Sequence, residues 1–308
     1  MSWNSSERAR RQGVWRRRIR RTWDFLWRST LTLAIPLVLL AGWYVWQAGQ
    51  YDYDQVAEMP ARTVILDRED EEIGTIHGTS RRLLNSDDLS PFLKDALFAR
   101  EDANFRDHGG VDFRGIARAT LRNIKDLDFT QGASTLSMQL ARNTFDLREK
   151  KSLNRKFLEI AITYRIEARF SKDEILTHYL NRIYFGAGCN GLEEAALTYF
   201  GTPAHRLNRN QTAMLIGIIR APHACSPFRN MEGAIKQRDE VLNRLVHLEK
   251  ITSDESAKIA NEPLALRDQN VGPGTSSHAE RALRRPLEIV LDEAQITTGG
   301  LTLSLIHI

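Results

Sequence analysis

The chain has 308 residues and is 42% hydrophobic, so it can bury a sizeable core in one large or two small domains. A net charge of +4 and a pI near 9.1 invite an anionic partner, but the charge is local. Met1–Arg28 holds nine arginines against Glu7 and Asp24, a net +7, which leaves the rest at −3 and excludes a nucleic-acid-binding body.

Residues 29–51, STLTLAIPLVLLAGWYVWQAGQY, carry no charge and are long enough for one transmembrane helix, for which about 20 residues suffice. Arginines precede it, and Trp43, Tyr44 and Trp46 lie near its far end. That pattern predicts a cytoplasmic tail (1–28), a single-pass helix (29–51) and a body outside the cytoplasm. A cleaved signal peptide fits less well, because the apolar run is long and no small-x-small site follows it.

Arg62–Ile76, RTVILDREDEEIGTI, places β-branched runs around an acidic turn and predicts a small strand-turn-strand element within a juxtamembrane segment, 52–84. From Asn85 the pattern is helical. Ser90-Pro91 opens a helix whose stripe of Phe92, Leu93, Ala96, Leu97 and Ala99 runs into Glu101. A carboxylate there faces the negative end of the helix dipole, a poor place for a merely structural charge. Phe113, Ile116, Ala117, Leu121 and Ile124 form an apolar face opposite Arg114, Arg118 and Arg122, which suits either a bilayer surface or a core helix. Further helices are predicted over 152–170, striped by Leu153, Phe157, Ile160, Ala161, Tyr164 and Ala168, then after the capping box Ser171–Glu174, and over 191–199, 210–220, 231–249 and 253–261. The fold class is mainly α. Cys189 and Cys225 fit no zinc spacing; they fall in Gly- or Pro-marked loops, which leaves both a disulfide and two unrelated thiols open.

Three clusters can carry chemistry. Glu101 and Asp102 stand before Phe105, His108 and Gly110. Gly132, Ser134 and Thr135 precede a helix bearing Gln139, Arg142 and Asn143, a ready anion site. Arg155, Lys156 and Glu159 lie within one helical turn. Each has a plainer counterpart: an exposed Arg155–Glu159 pair, a core histidine, a Ser-Thr cap, or a metal held by Glu101, Asp102 and His108.

In order and spacing these clusters resemble the peptidoglycan glycosyltransferase domain of class A penicillin-binding proteins, glycosyltransferase family 51. The family's EDxxFxxHxG, GxSTxxxQ and RKxxE motifs are matched by Glu101–Gly110, Gly132–Gln139 and Arg155–Glu159. KxEILxxYLNxxxxG is matched by Lys172–Gly186, and AP…SP by Ala221-Pro222 and Ser226-Pro227. Ser137 and Met138 depart from the commoner Thr and Gln.

The resemblance implies a lysozyme-like helical domain over 85–230 that polymerises lipid II onto a growing glycan chain and releases undecaprenyl pyrophosphate. It implies Glu101 as base, its basicity raised by the helix end and by Asp102, and Glu159 as a second essential carboxylate. Asp102, His108, Ser134, Thr135, Gln139, Arg142, Asn143, Arg155 and Lys156 are expected to bind substrate, with Phe105 and Gly110 in support. Glu159 acts either through a divalent cation such as Mg²⁺ or by positioning Arg155 and the sugar. The expected setting is the cytoplasmic membrane, with other cell-wall synthesis proteins as partners and no nucleic acid. A muramidase or lytic transglycosylase, or an inactive glycan-binding scaffold, are the alternatives.

No SxxK or KTG motif of a transpeptidase occurs. Residues 231–302 resemble the linker toward such a domain. Leu303–Ile308 is expected to be a non-native end, since CTG TCT CTT ATA CAC ATC, the end of a transposon-based library adapter, encodes it.

Overall fold

The computed structural model describes residues 30, 32, 34–58, 63–66, 72–76, 83–126, 134–147, 152–267 and 302–304. The basic tail 1–28, Gly132, the linker between 268 and 301 and residues 305–308 lie outside the described residues, as do the side chains of Leu121, Arg122 and Ile124. Two compact units are present, Met1–Tyr51 and Asp52–Ile308.

In the first unit, helix α1 (residues 34–48) exposes Leu37, Val38, Leu39 and Trp46, each more than 60% accessible. Among the described residues no helix is long and apolar enough to cross a membrane.

The second unit is mainly helical. It opens with a single turn, α2 (Asp54–Ala57), whose end is gathered by Arg182: its Nη2 donates to the carbonyls of Gln55, of Val56 at 3.2 Å and of Glu58 at 2.7 Å. Burial pulls the Arg182 guanidinium down to about 10. Of the strand-turn-strand expected over 62–76, the two strands are present as β1 (Thr63–Leu66) and β2 (Glu72–Ile76), paired antiparallel, and residues 67–71 between them lie outside the described residues; β3 (Thr302–Ser304) runs parallel to β1 on its other edge.

The helices follow their local signals. α3 (Pro91–Glu101) begins with Ser90 accepting from the Leu93 amide and with Pro91 where no donor is needed, and it buries Leu93, Ala96, Leu97 and Ala99. α4 (Phe113–Asp126) leaves Phe113 64% exposed and Ala117 exposed, so these two residues of the predicted apolar face lie outside the core. α5 (Leu136–Thr144) is capped by Thr135 and lies between α6 (Leu153–Arg169) and α7 (Lys172–Arg182). The predicted capping box of Ser171 and Glu174 starts α7.

α8 (Leu192–Phe200) leads to α9 (Arg209–Ile218), buried from Asn210 to its end, which packs on α3 and on α10 (Met231–His247). α11 (Ser253–Ala260) closes the described helices. Asn181 pins the segment before α3: its side chain accepts from the Leu84 amide at 2.9 Å and donates to the Leu84 carbonyl at 3.0 Å.

The stripe predicted on α6 is a correction. Leu153, Phe157 and Tyr164 are 78%, 47% and 45% exposed, while Leu158, Glu159, Ile162, Thr163 and Ile166 face the core. The helix is apolar on two sides, and periodicity alone does not tell which side is covered. The covered side joins Glu159 to Leu158, Ile162 and Ile166. Cys189 and Cys225 are free thiols, and burial pushes Cys189 up to about 12.

Gly186 sits at φ +86°, where a Cβ would lie 2.3 Å from the Pro222 carbonyl oxygen. Gly186→Ala is expected to cost about 1–3 kcal/mol and to lower the thermal midpoint by several degrees. Gly109→Ala, with open space around it, is expected to leave the midpoint unchanged by calorimetry.

Candidate active site

The two adjacent acids at the end of α3 diverge. Asp102 abandons helical geometry (φ −160°, ψ 81°), which sends its side chain toward α5 while Glu101 stays on the helix. Asp102 accepts from the amide of Leu136, the first residue of α5, at 3.1 Å, and from His108 Nε2 at 3.1 Å on both oxygens. Its charge therefore sits at a helix N-terminus, where it is favoured. Through these contacts Asp102 docks α5 against the turn.

The turn is held from several directions. His108 Nδ1 accepts from the Gly110 amide at 3.1 Å, which assigns the ring proton to Nε2. Thr135, besides accepting from the Met138 amide, donates to the Gly110 carbonyl at 2.5 Å. Gly110 has φ +97°, and a Cβ there would lie 2.8 Å from Thr163 Cγ2 on α6, so a side chain is excluded. Phe105 is 1% exposed and stacks on Phe98. Lys172 lies 4.5 Å over the Phe105 ring and donates to the His108 carbonyl at 2.7 Å and to Glu167 at 2.8 Å. Glu167 also accepts from the buried Ser137 hydroxyl.

Glu101 has a side chain only 6% exposed. Its Oε2 accepts from Gln139 Nε2 at 3.0 Å, and its Oε1 from Arg220 Nε at 3.0 Å. Gln139 is itself fixed by the Tyr179 hydroxyl, which donates to its Oε1 at 3.1 Å. Burial pushes the Tyr179 phenol well above its ordinary value, and the Glu101 charge adds to the shift, so Tyr179 stays a donor.

The second and third predicted clusters merge into one. Glu159, fully buried, accepts from Arg142 Nη2 at 2.9 Å and Nε at 3.3 Å, and from Lys156 Nζ at 3.2 Å. Ser134 Oγ accepts from Arg142 at 3.2 Å and from Lys156 at 3.1 Å. The cation side chains remain 28% and 33% exposed, so their outer faces are open to an anion. Met138 is wholly buried, and its sulfur stands 4.0 Å from Lys156 Nζ, where an amide would have made a stronger bond.

The exposed Arg155–Glu159 pair, the plainer alternative, is not formed: Glu159 pairs with Arg142 and Lys156, and Arg155 Nη1 donates to the Leu147 carbonyl at 3.3 Å. Asn143, half-buried, follows Arg142 on the last turn of α5. Magnesium prefers several oxygen ligands in near-octahedral array. Both Glu159 oxygens are taken by cations, and among the described residues no three His, Cys, Asp or Glu side chains gather. Nor do Glu101, Asp102 and His108 share a centre. The donors present suit an anion and do not by themselves build a divalent-cation site.

Two clefts meet at Glu101. One, of about 310 Å³, runs from Glu101 and Asp102 to Ser134, Thr135, Arg118 and the end of α10; the other, of about 290 Å³, is lined by Arg100, Glu101, Arg220, Glu240 and Arg244. A carboxylate thus stands in the same cleft as the Ser134 hydroxyl that meets the cations, the equipment for moving a proton beside a departing anion. Sequence reasoning gave no role to Arg220, Tyr179, Lys172 or Arg244. The first three lie in or beside the fourth and fifth motifs, which was the signal available.

A family model described as transglycosylase matches residues 69–246. The chain is 35% identical over 252 residues to penicillin-binding protein 2D of Bacillus subtilis, covering 79% of this chain and 36% of that one. It is also 35% identical over 211 residues to penicillin-binding protein 1A of Aquifex aeolicus, covering 68% and 29%. The chain thus spans about a third of the length of these relatives. The crystal structure of penicillin-binding protein 1A from Haemophilus influenzae overlays with a TM-score of 0.41 at 19% identity, covering 74% of this chain and 25% of that one.

Burial holds the Lys156 ammonium below the ordinary lysine range; Glu159 opposes the shift, and Arg142 and Arg155 reinforce it. Lys156 therefore sheds its proton below about pH 10.5. Binding of inorganic pyrophosphate, followed by calorimetry as the pH is raised, is expected to weaken in a step that begins below that value and is absent in Lys156→Arg. Between the folded-state value and about 10.5 the unfolded chain binds the extra proton, so stability from this group rises with pH across that window. Glu159→Gln is expected to cost about 1–3 kcal/mol in urea unfolding. That is less than the ~3–5 kcal/mol of a fully buried pair, because the cations keep contact with water.

Proposed function

Because the chain belongs to the transglycosylase family, glycosyltransferase family 51, we propose that its cleft polymerises lipid II into glycan strands. One observation carries the reading: Glu101 lines the same cleft as Ser134, whose Oγ is shared by the Arg142 and Lys156 cations.

In this reading the 4-hydroxyl of an incoming GlcNAc approaches Glu101, which accepts its proton as the oxygen bonds to the anomeric carbon of the growing chain's MurNAc. The bond from that carbon to the lipid pyrophosphate breaks, with inversion. The leaving group's negative charge grows as the bond lengthens, and Arg142 and Lys156, already oriented by Glu159, meet it without reorganising. Gln139 orients Glu101, and Ser134 and Thr135 shape the anion's seat. Arg155 and Asn143 flank it. Glu159 acts as the buried counter-charge that keeps two cations side by side. A glycan-cleaving enzyme would gain nothing from that pair.

The substrate's lipid tail calls for a membrane setting. The uncharged run 29–51, the arginines before it and the exposed apolar side chains of α1 support a single-pass anchor in the cytoplasmic membrane, with the catalytic body outside. Growing glycan and other cell-wall synthesis proteins are the partners this placement implies.

The full chain in detergent, given fluorescent lipid II, is expected to form polymer, and Glu101→Gln to slow it by about 10²-fold or more. Wild-type protein that leaves lipid II intact and digests preformed glycan would overturn the assignment.

A further inference from the structure

We infer that Arg220 is a positioning residue for the base, a brace that fixes how the Glu101 carboxylate is offered to the acceptor hydroxyl; the inference rests on the function proposed above. Arg220 Nε donates to Glu101 Oε1 at 3.0 Å, and the same guanidinium donates through Nη2 to the Arg100 carbonyl at 2.6 Å. Two contacts on one planar group fix both the side chain and the oxygen it holds. The other oxygen is held by Gln139 at 3.0 Å, backed by Tyr179. The carboxylate is thus clamped from α5 on one side and from the end of α9 on the other.

The chain around Arg220 is built to present it. α9 is buried from Asn210 to Ile218 and packs on α3, the helix that carries Glu101. Ala221 and Pro222 follow at once, and a residue before proline is restricted in conformation. Pro222 is fixed in turn by the approach of Gly186. Arg220 is half exposed and lines the smaller cleft beside Glu101, so a surface ion pair of little consequence is the plain alternative. So is a helix C-cap, since the Arg100 carbonyl is one of the groups left unpaired at the end of α3. Neither explains why the guanidinium is aimed at the nearly buried oxygen of the proposed base.

Other charges lie around this carboxylate: Arg100 interacts with it from the same helix, Arg142 and Glu101 both act on Tyr179, and Arg244 and Glu240 from α10 line the same cleft. Asp102 is turned away to His108. Gln139 and Tyr179 contribute neutral donors. Arg220 is the cation bonded to the oxygen itself, so its removal is expected to show above this background.

The test compares the full chain with Arg220→Gln and Arg220→Lys in detergent, reading polymerisation rates of lipid II across pH, thermal midpoints, and the Glu101 carboxyl titration by ¹³C NMR assigned against Glu101→Gln. In Arg220→Gln the plateau kcat is expected to fall about 10–100-fold with KM within a few-fold. The acidic limb of the rate profile and the carboxyl signal should both move to higher pH, because an adjacent cation has gone. Arg220→Lys keeps the charge but has no fork: its limb should return to the wild-type position, and its kcat should recover only in part.

A Glu101 titration identical in wild type and Arg220→Gln would overturn the inference, as would a kcat loss that merely follows the thermal midpoint. If the titration moves but wild type makes no polymer, the brace stands and the proposed function falls. If wild type polymerises and Arg220→Gln matches it in rate and limb, the brace alone is wrong.

Discussion

A carboxylate with no exposure to water, Glu159, is the interaction on which the site depends. Two cations at hydrogen-bonding distance from one serine oxygen repel each other, and neither would stay without a buried negative charge behind them. Glu159 accepts three bonds from them and so offsets its own desolvation. It shares the buried side of α6 with Leu158, Ile162 and Ile166, while Leu153, Phe157 and Tyr164 lie outside.

The remaining polar contacts hold Glu101 at a fixed place relative to those cations. Asp102 fastens the end of α3 to the start of α5, and Thr135 fastens the same start to the Gly110 carbonyl. Gln139, three residues into α5 from Leu136, then reaches Glu101. Glu101 and Arg142 are consequently referenced to one rigid element, α5, which Tyr179 supports from behind. Catalytic groups that must act within one bond-breaking event gain from a shared frame of this kind.

Much of this was legible in the sequence, because capping and periodicity are local. Ser90-Pro91, Thr135, Ser152 and the Ser171–Glu174 box each mark a helix start where it is found. Glu101 at a helix end and the hydroxyl-led α5 were likewise readable from neighbours. What escaped is what joins distant positions. Arg220 meets Glu101 across 119 residues and Tyr179 meets Gln139 across 40; no spacing rule covers either. Spacing set Glu159 beside Arg155 and Lys156 on one helical turn, yet its bidentate partner, Arg142, comes from another helix 17 residues away. The stripe on α6 failed for the related reason that an apolar face declares itself without declaring its cover.

Lys172 carries a consequence of its own. It opens α7, yet its ammonium rests on the Phe105 ring, holds the His108 carbonyl and neutralises Glu167, which in turn takes the Ser137 hydroxyl. Four stretches that look separate along the chain are therefore a single unit of selection. A change at Ser137 alters the charge balance felt at Lys172, and through it the loop beside the base. Drift at any of these positions must be answered at the others, so variation among descendants of this chain should come in matched sets.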